Sequence, residues 1–135
     1  MRTRRLIVTA LATATLYGCN RNPQAASEHV LKTQFGDATY YARHSQGKPA
    51  ASGRKFDNRK PFAAHRTYPF GTIVRVTNRL NGRSVEVVIV DRGPYGQNRR
   101  EGTIIDLSRE AAKALGILHA GQVPVKLEVL SWGTG

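Results

Sequence analysis

The chain of 135 residues has a single cysteine, Cys19. That excludes an intramolecular disulfide framework and any zinc site built from several cysteines. Acidic residues are scarce: nine Asp and Glu stand against 21 Lys and Arg. Both halves share the scarcity, so there is no acidic tail. With 40% hydrophobic residues the sequence can bury one small core, but it cannot supply a multi-span membrane protein. The histidines, His29, His44, His65 and His119, show no ligand spacing on a shared element, so neither a metal nor a cofactor is expected. What remains is a formal charge of +12, which attracts anions without saying which ones.

The N-terminus narrows the choice. Met1-Arg2-Thr3-Arg4-Arg5 is a basic segment, and Leu6 to Leu16 is uncharged. Such a run falls well short of the roughly 20 apolar residues of a membrane-spanning helix, but it suits a signal peptide over residues 1–18. It ends in Leu16-Tyr17-Gly18-Cys19, which resembles a bacterial lipobox and implies lipidation at Cys19. The expected protein is therefore exported and anchored by lipid to the periplasmic face of the envelope, with the outer membrane as the expected side. Nucleic acid is excluded as a partner, and a monomer is expected. Residues 19–33, polar and small in composition, read as a tether of at most roughly 50 Å.

From Gln34 the pattern has period two. Thr72–Thr77 and Ser84–Val90 read as strands joined through Asn81-Gly82, and Val123–Leu130 reads as a third, with Pro124 near its start. One helix is expected over Arg109–Leu115, with Ser108 as N-cap and Gly116 at the left-handed C-terminal position. Several short strands and one brief helix predict a small all-β barrel. Asp91, following the apolar Val88-Ile89-Val90, is a candidate general acid; the alternative is a carboxylate that merely caps the Gly93-Pro94 turn. His65 likewise reads either as catalytic or as a satisfied turn histidine.

Several motifs follow in order: Gly36-Asp37-Ala38-Thr39-Tyr40-Tyr41, Ala51-Ser52-Gly53 with Phe56-Asp57, Ala64-His65-Arg66-Thr67 with Pro69-Phe70-Gly71-Thr72, Val76-Thr77-Asn78, Asp91-Arg92-Gly93-Pro94, and Ile105-Asp106-Leu107-Ser108. Together they resemble the rare lipoprotein A (RlpA) family. The resemblance implies a six-stranded double-psi β-barrel over residues 34–131 with one or two short helices; many members also carry a C-terminal SPOR domain, which is not expected here because the sequence ends with the barrel. It implies endolytic transglycosylase activity on peptidoglycan glycan strands, including strands stripped of their peptides. Asp91 would be the catalytic acid and His65 its supporting residue. Tyr41, Arg54, Asp57, Thr67, Asn78 and Arg92 would bind substrate.

Arg54 departs from that pattern, because catalytically competent members of the family carry Glu after Ala-Ser-Gly. A transglycosylase can work with one carboxyl group, which protonates the glycosidic oxygen and then takes the proton of the attacking muramyl C6 hydroxyl. A cation close to Asp91 would oppose the acid step. Two other classes therefore stay open: a non-catalytic, expansin-like glycan binder, favoured by Arg54, and an envelope protein that holds a protein partner or anionic lipid.

Overall fold

The computed structural model describes residues 29–96 and 101–135. Cys19, the signal segment and most of the expected tether lie outside these residues. Six strands are present: β1 (Lys32–Tyr40), β2 (Phe62–Ala64), β3 (Ile73–Asn78), β4 (Ser84–Asp91), β5 (Thr103–Leu107) and β6 (Val123–Ser131). They close into a barrel in the order β1-β5-β2-β4-β3-β6. The pairs β1/β5 and β2/β4 are parallel, and the other four are antiparallel. This is the double-psi barrel architecture. β1 begins two residues before the expected domain boundary: Lys32 and Thr33, assigned to the tether, pair with Val129 and Glu128 of β6.

Alternation along the strands builds the interior. Val74 and Val76 of β3, Val87 and Ile89 of β4, Ile105 and Leu107 of β5, and Val125, Leu127 and Val129 of β6 are all buried in one cluster. The helix α1 (Arg109–Leu115) lays Ala111, Ala112 and Leu115 on that cluster. Its limits are set as the sequence predicts. The Ser108 hydroxyl accepts from the Ala111 N–H, and Gly116 takes φ 72° at the exit. A 3-10 turn over Arg43–Ser45 is the only other helical element among the described residues.

A second, smaller cluster of Ala50, Phe56, Phe62 and Val90 lies on the outer side of β2 and β4, beneath the loop that follows β1. Here the register of β2 against β4 slips. Phe62 faces Val88 and Ala63 faces Ile89, but Ala64 faces Asp91. Val90 is the extra residue of a β-bulge, a device that re-aims the next side chain. Without it Asp91 would share the inward face of Ile89; with it Asp91 stands on the outer face beside Ala64.

Candidate functional site

Four neighbouring strands place one residue each in a row across the outer face of the barrel. Thr39 of β1 is paired with Asp106 of β5, Asp106 with Ala64 of β2, and Ala64 with Asp91 of β4. Paired residues project to the same side of a sheet, so two carboxyl groups flank the smallest side chain in the row. Their backbones are roughly 10 Å apart, two inter-strand spacings.

The Asp91 carboxylate is fixed by three donors. Its Oδ1 accepts from the backbone N–H groups of Ala51 at 2.8 Å and Arg92 at 2.9 Å. Its Oδ2 accepts from the Tyr41 hydroxyl at 2.6 Å. The Ala51-Ser52-Gly53 loop is seated here by a further bond from the Ser52 N–H to the Val90 carbonyl, 3.2 Å. Tyr41 is held against Phe56, with 4.1 Å between ring centroids. Burial, reinforced by the bonded Asp91 carboxylate, pushes the Tyr41 phenol well above its ordinary range, so it remains a donor. Asp106 accepts from the Thr39 hydroxyl. Burial raises the Asp106 carboxyl above the usual carboxylate range, and the charge of Asp91 adds to the shift against the opposing Thr39 bond.

Several expected site residues prove to do other work. His65 is buried, at 4% exposure, and both its ring nitrogens are engaged. Nδ1 accepts from the Thr67 and Tyr68 N–H groups, each at 3.1 Å, so Nε2 carries the proton and donates to Gln34 Oε1 at 3.0 Å. The ring stacks on Tyr68 at 3.5 Å. Burial, with the cations Arg66, Lys32 and Arg92 nearby, pushes its pKa down to about 4. His65 is thus a positioning residue: it organises the loop after β2, and its N–H bonds the Asp91 carbonyl at 3.2 Å. Thr67 is exposed on that loop.

Arg92 turns its guanidinium away from the adjacent carboxylate. It donates to the carbonyls of His65 (3.3 Å) and Tyr68 (2.8 Å) and lies 3.9 Å from the Phe70 ring centroid. In this position it braces the same loop that His65 organises. Asn78 is also reassigned. It is 2% exposed, donates to the Leu115 carbonyl and accepts from the Leu80 N–H. It ties the β3–β4 connection to the end of α1, at the far end of the hairpin from Asp91.

Asp57 and Arg54 lie nearer the site. Asp57 is clamped by Arg59, whose Nε and Nη2 reach its two oxygens at 3.0 and 3.2 Å. That pairing, with the Arg59 N–H and Gln46, holds the Asp57 carboxyl well below the usual range. It is a fixed anion on the rim, unsuited to proton transfer. Arg54 is exposed, with its guanidinium carbon 5.5 Å from the Phe62 ring centroid, on the outer side of β2. Asp106 is the candidate residue that the sequence reading did not single out. The signal was present in Ile105-Asp106-Leu107, an acid between apolar residues of a strand, but its partner across Ala64 depends on barrel closure.

The sequence model of the lytic transglycolase domain family matches residues 33–127. A Treponema pallidum protein named "Probable endolytic peptidoglycan transglycosylase RlpA" is 51% identical over 103 residues, covering 76% of this chain and 30% of its own. A Nostoc protein of the same name is 46% identical over 110 residues, covering 80% of this chain and 29% of its own. The chain thus spans under a third of these relatives. Among solved structures, an expansin from Clavibacter michiganensis is similar with TM-score 0.56 and 27% identity, covering 77% of this chain and 53% of that one. A barrel of this topology, matched over most of its length at this identity, leaves one assignment: the chain belongs to the RlpA family of double-psi β-barrel proteins.

Proposed function

We propose that this protein is an endolytic peptidoglycan transglycosylase whose chemistry is divided between Asp91 and Asp106. The observation that carries the reading is the pair of carboxyl groups on either side of Ala64, one half-buried and so favoured to hold its proton, the other accepting three hydrogen bonds. Carboxyl groups in contrasting surroundings divide into acid and base. Asp106 delivers its proton to the glycosidic oxygen as the bond from muramyl C1 breaks. The C6 hydroxyl of the same sugar attacks C1, and its proton passes to Asp91 Oδ2. The products are a free hydroxyl on the leaving sugar and a 1,6-anhydro ring, and no water is consumed. Tyr41 and the two backbone N–H groups keep Asp91 aimed at the sugar while the ring closes.

The test is incubation of the full chain, solubilised in detergent, with purified peptidoglycan, followed by mass analysis. Release of 1,6-anhydromuramyl fragments is expected; reducing-end products alone would mean hydrolysis and defeat the reading. Arg54 favours a second one, in which the barrel binds glycan without cutting it. Retention on peptidoglycan with no fragments released would establish that alternative.

The Leu16-Tyr17-Gly18-Cys19 sequence supports export and lipid anchoring to the envelope. Wild-type protein should partition with membranes, and Cys19→Ser should leave it unprocessed or soluble. Unchanged partitioning of the variant would refute the anchor.

A further inference from the structure

Gln34 of β1 makes a connection that strand pairing does not provide. β1 is hydrogen-bonded to β5 and β6, whereas His65 follows β2 and Asp91 ends β4. The half-buried Gln34 side chain bridges that separation. Its Oε1 accepts two bonds, from the Tyr68 hydroxyl at 2.9 Å and from His65 Nε2 at 3.0 Å. Tyr68 is itself enclosed. The His65 ring stacks on it with 3.5 Å between centroids, the Trp132 ring meets it edge-on at 5.4 Å, and Lys32 Nζ lies 5.4 Å from its centroid. Burial raises the Tyr68 phenol, so its hydroxyl stays a donor.

The Gln34 oxygen decides the state of the imidazole. His65 Nδ1 receives the Thr67 and Tyr68 N–H groups, so the ring proton sits on Nε2 and needs an acceptor opposite it. With the Gln34 amide turned over, an NH2 group would face that donor instead. The loop gathered by Nδ1 then reaches Asp91 by two routes. The backbone N–H of His65 donates to the Asp91 carbonyl at 3.2 Å, and the carbonyls of His65 and Tyr68 hold the Arg92 guanidinium. We propose that Gln34 is a positioning residue for the Asp91 carboxylate, acting through the Nε2–H form of His65 and the loop it gathers. The inference deepens, and rests on, the reading of Asp91 as a reacting group. β1 then serves both acids, since its Thr39 hydroxyl donates to Asp106.

Two substitutions separate this role from packing. Gln34→Leu removes the acceptor at every pH. Gln34→Glu keeps an oxygen for both bonds, but its carboxylate draws a second proton to the imidazole. Burial and the other charges facing the ring, Arg66 of the loop, Lys32 of β1 and Arg92 after β4, oppose that uptake. Once protonated, Nδ1 turns from acceptor to donor, and the Thr67 and Tyr68 N–H groups lose their partner.

The full chain in detergent tests this by fragment release and by nitrogen-15 NMR. Gln34→Leu should lower kcat roughly 10–100-fold with little change in KM, because a displaced carboxylate costs rate and not sugar binding. Gln34→Glu should match the wild type at about pH 8 and fall roughly tenfold behind it at about pH 5, as the imidazole charges. The wild-type His65 signals should show a proton on Nε2 and none on Nδ1 at both pH values. The Ala51 and Arg92 amide signals, which report the Asp91 carboxylate, should shift in Gln34→Leu. Undiminished kcat in Gln34→Leu, a Gln34→Glu profile parallel to wild type, or a proton on wild-type Nδ1 overturns the inference. Unmoved Ala51 and Arg92 amides in Gln34→Leu overturn it too, whether or not the wild type releases fragments. Shifted amides without any anhydromuramyl release from the wild type remove the transglycosylase reading and keep the hold of Gln34 on Asp91.

Discussion

Asp91 and Asp106 face the same space from opposite sides of Ala64, on strands that follow one another in the chain but are separated in the barrel by β2, to which both are hydrogen-bonded. The arrangement makes the methyl group between them part of the site, because any larger side chain at position 64 would fill the gap between the carboxyl groups.

Removal of either carboxyl should therefore be severe. Asp91→Asn and Asp106→Asn are each expected to lower fragment release by roughly 10²–10⁴-fold, the range for a general acid or base, while leaving the circular dichroism spectrum unchanged. Groups that act as a unit are strongly non-additive, so the double variant should be little worse than either single one. Since Asp106 is raised by burial and must be protonated to act, the rate should fall as pH rises through its titration. Retention of full activity in Asp106→Asn would return the chemistry to Asp91 alone.

Tyr41→Phe removes the bond to Asp91 Oδ2 but keeps the ring against Phe56. A tenfold lower turnover with little change in KM is expected, since the hydroxyl orients the carboxylate without binding the sugar. A rise in KM at constant kcat would instead make Tyr41 a substrate contact.

His65 gives a stability signature. Its folded pKa of about 4 is below its ordinary 6.5. The unfolded chain therefore takes up the proton first, and stability present above pH 6.5 is lost as pH falls toward 4. The melting temperature should decline across that window, and His65→Gln should flatten the decline. A wild-type melting temperature constant from pH 7 to 4.5 would contradict the buried neutral imidazole.

Arg54 lies on the carboxylate side of β2, over Phe62. Arg54→Glu should raise cleavage, because it returns an acid to this face, whereas Lys55→Glu, equal in charge and one residue away, should not. Equal behaviour of the two variants would reduce Arg54 to a general surface cation.

The barrel was readable because its strands alternate cleanly: β3, β4 and β6 follow the period of two nearly to the residue, and α1 begins and ends at its predicted capping residues. Asp91 was also legible as a candidate, since it ends an apolar strand. Side-chain direction was not. Arg92 beside Asp91 looks in sequence like a threat to an acid, yet two carbonyls and the face of Phe70 hold it elsewhere. Asn78 ends a strand in the manner of a site residue, but its amide donates to the Leu115 carbonyl at the end of α1. Asp106 needed β2, more than twenty residues upstream of Asp91, to be seated between β4 and β5.

Val90 gives the fold a kind of parity. By plain alternation Asp91 would point inward with Ile89, and the slip at Val90 turns it outward, so flattening the bulge at unchanged strand length would carry the same carboxylate into the apolar interior. The barrel's sequence would be intact and its chemistry inside out. A strand one residue shorter, without Val90, would instead return the acid to the outer face directly after Ile89, at the cost of the Val90 contact with Phe56 and Phe62.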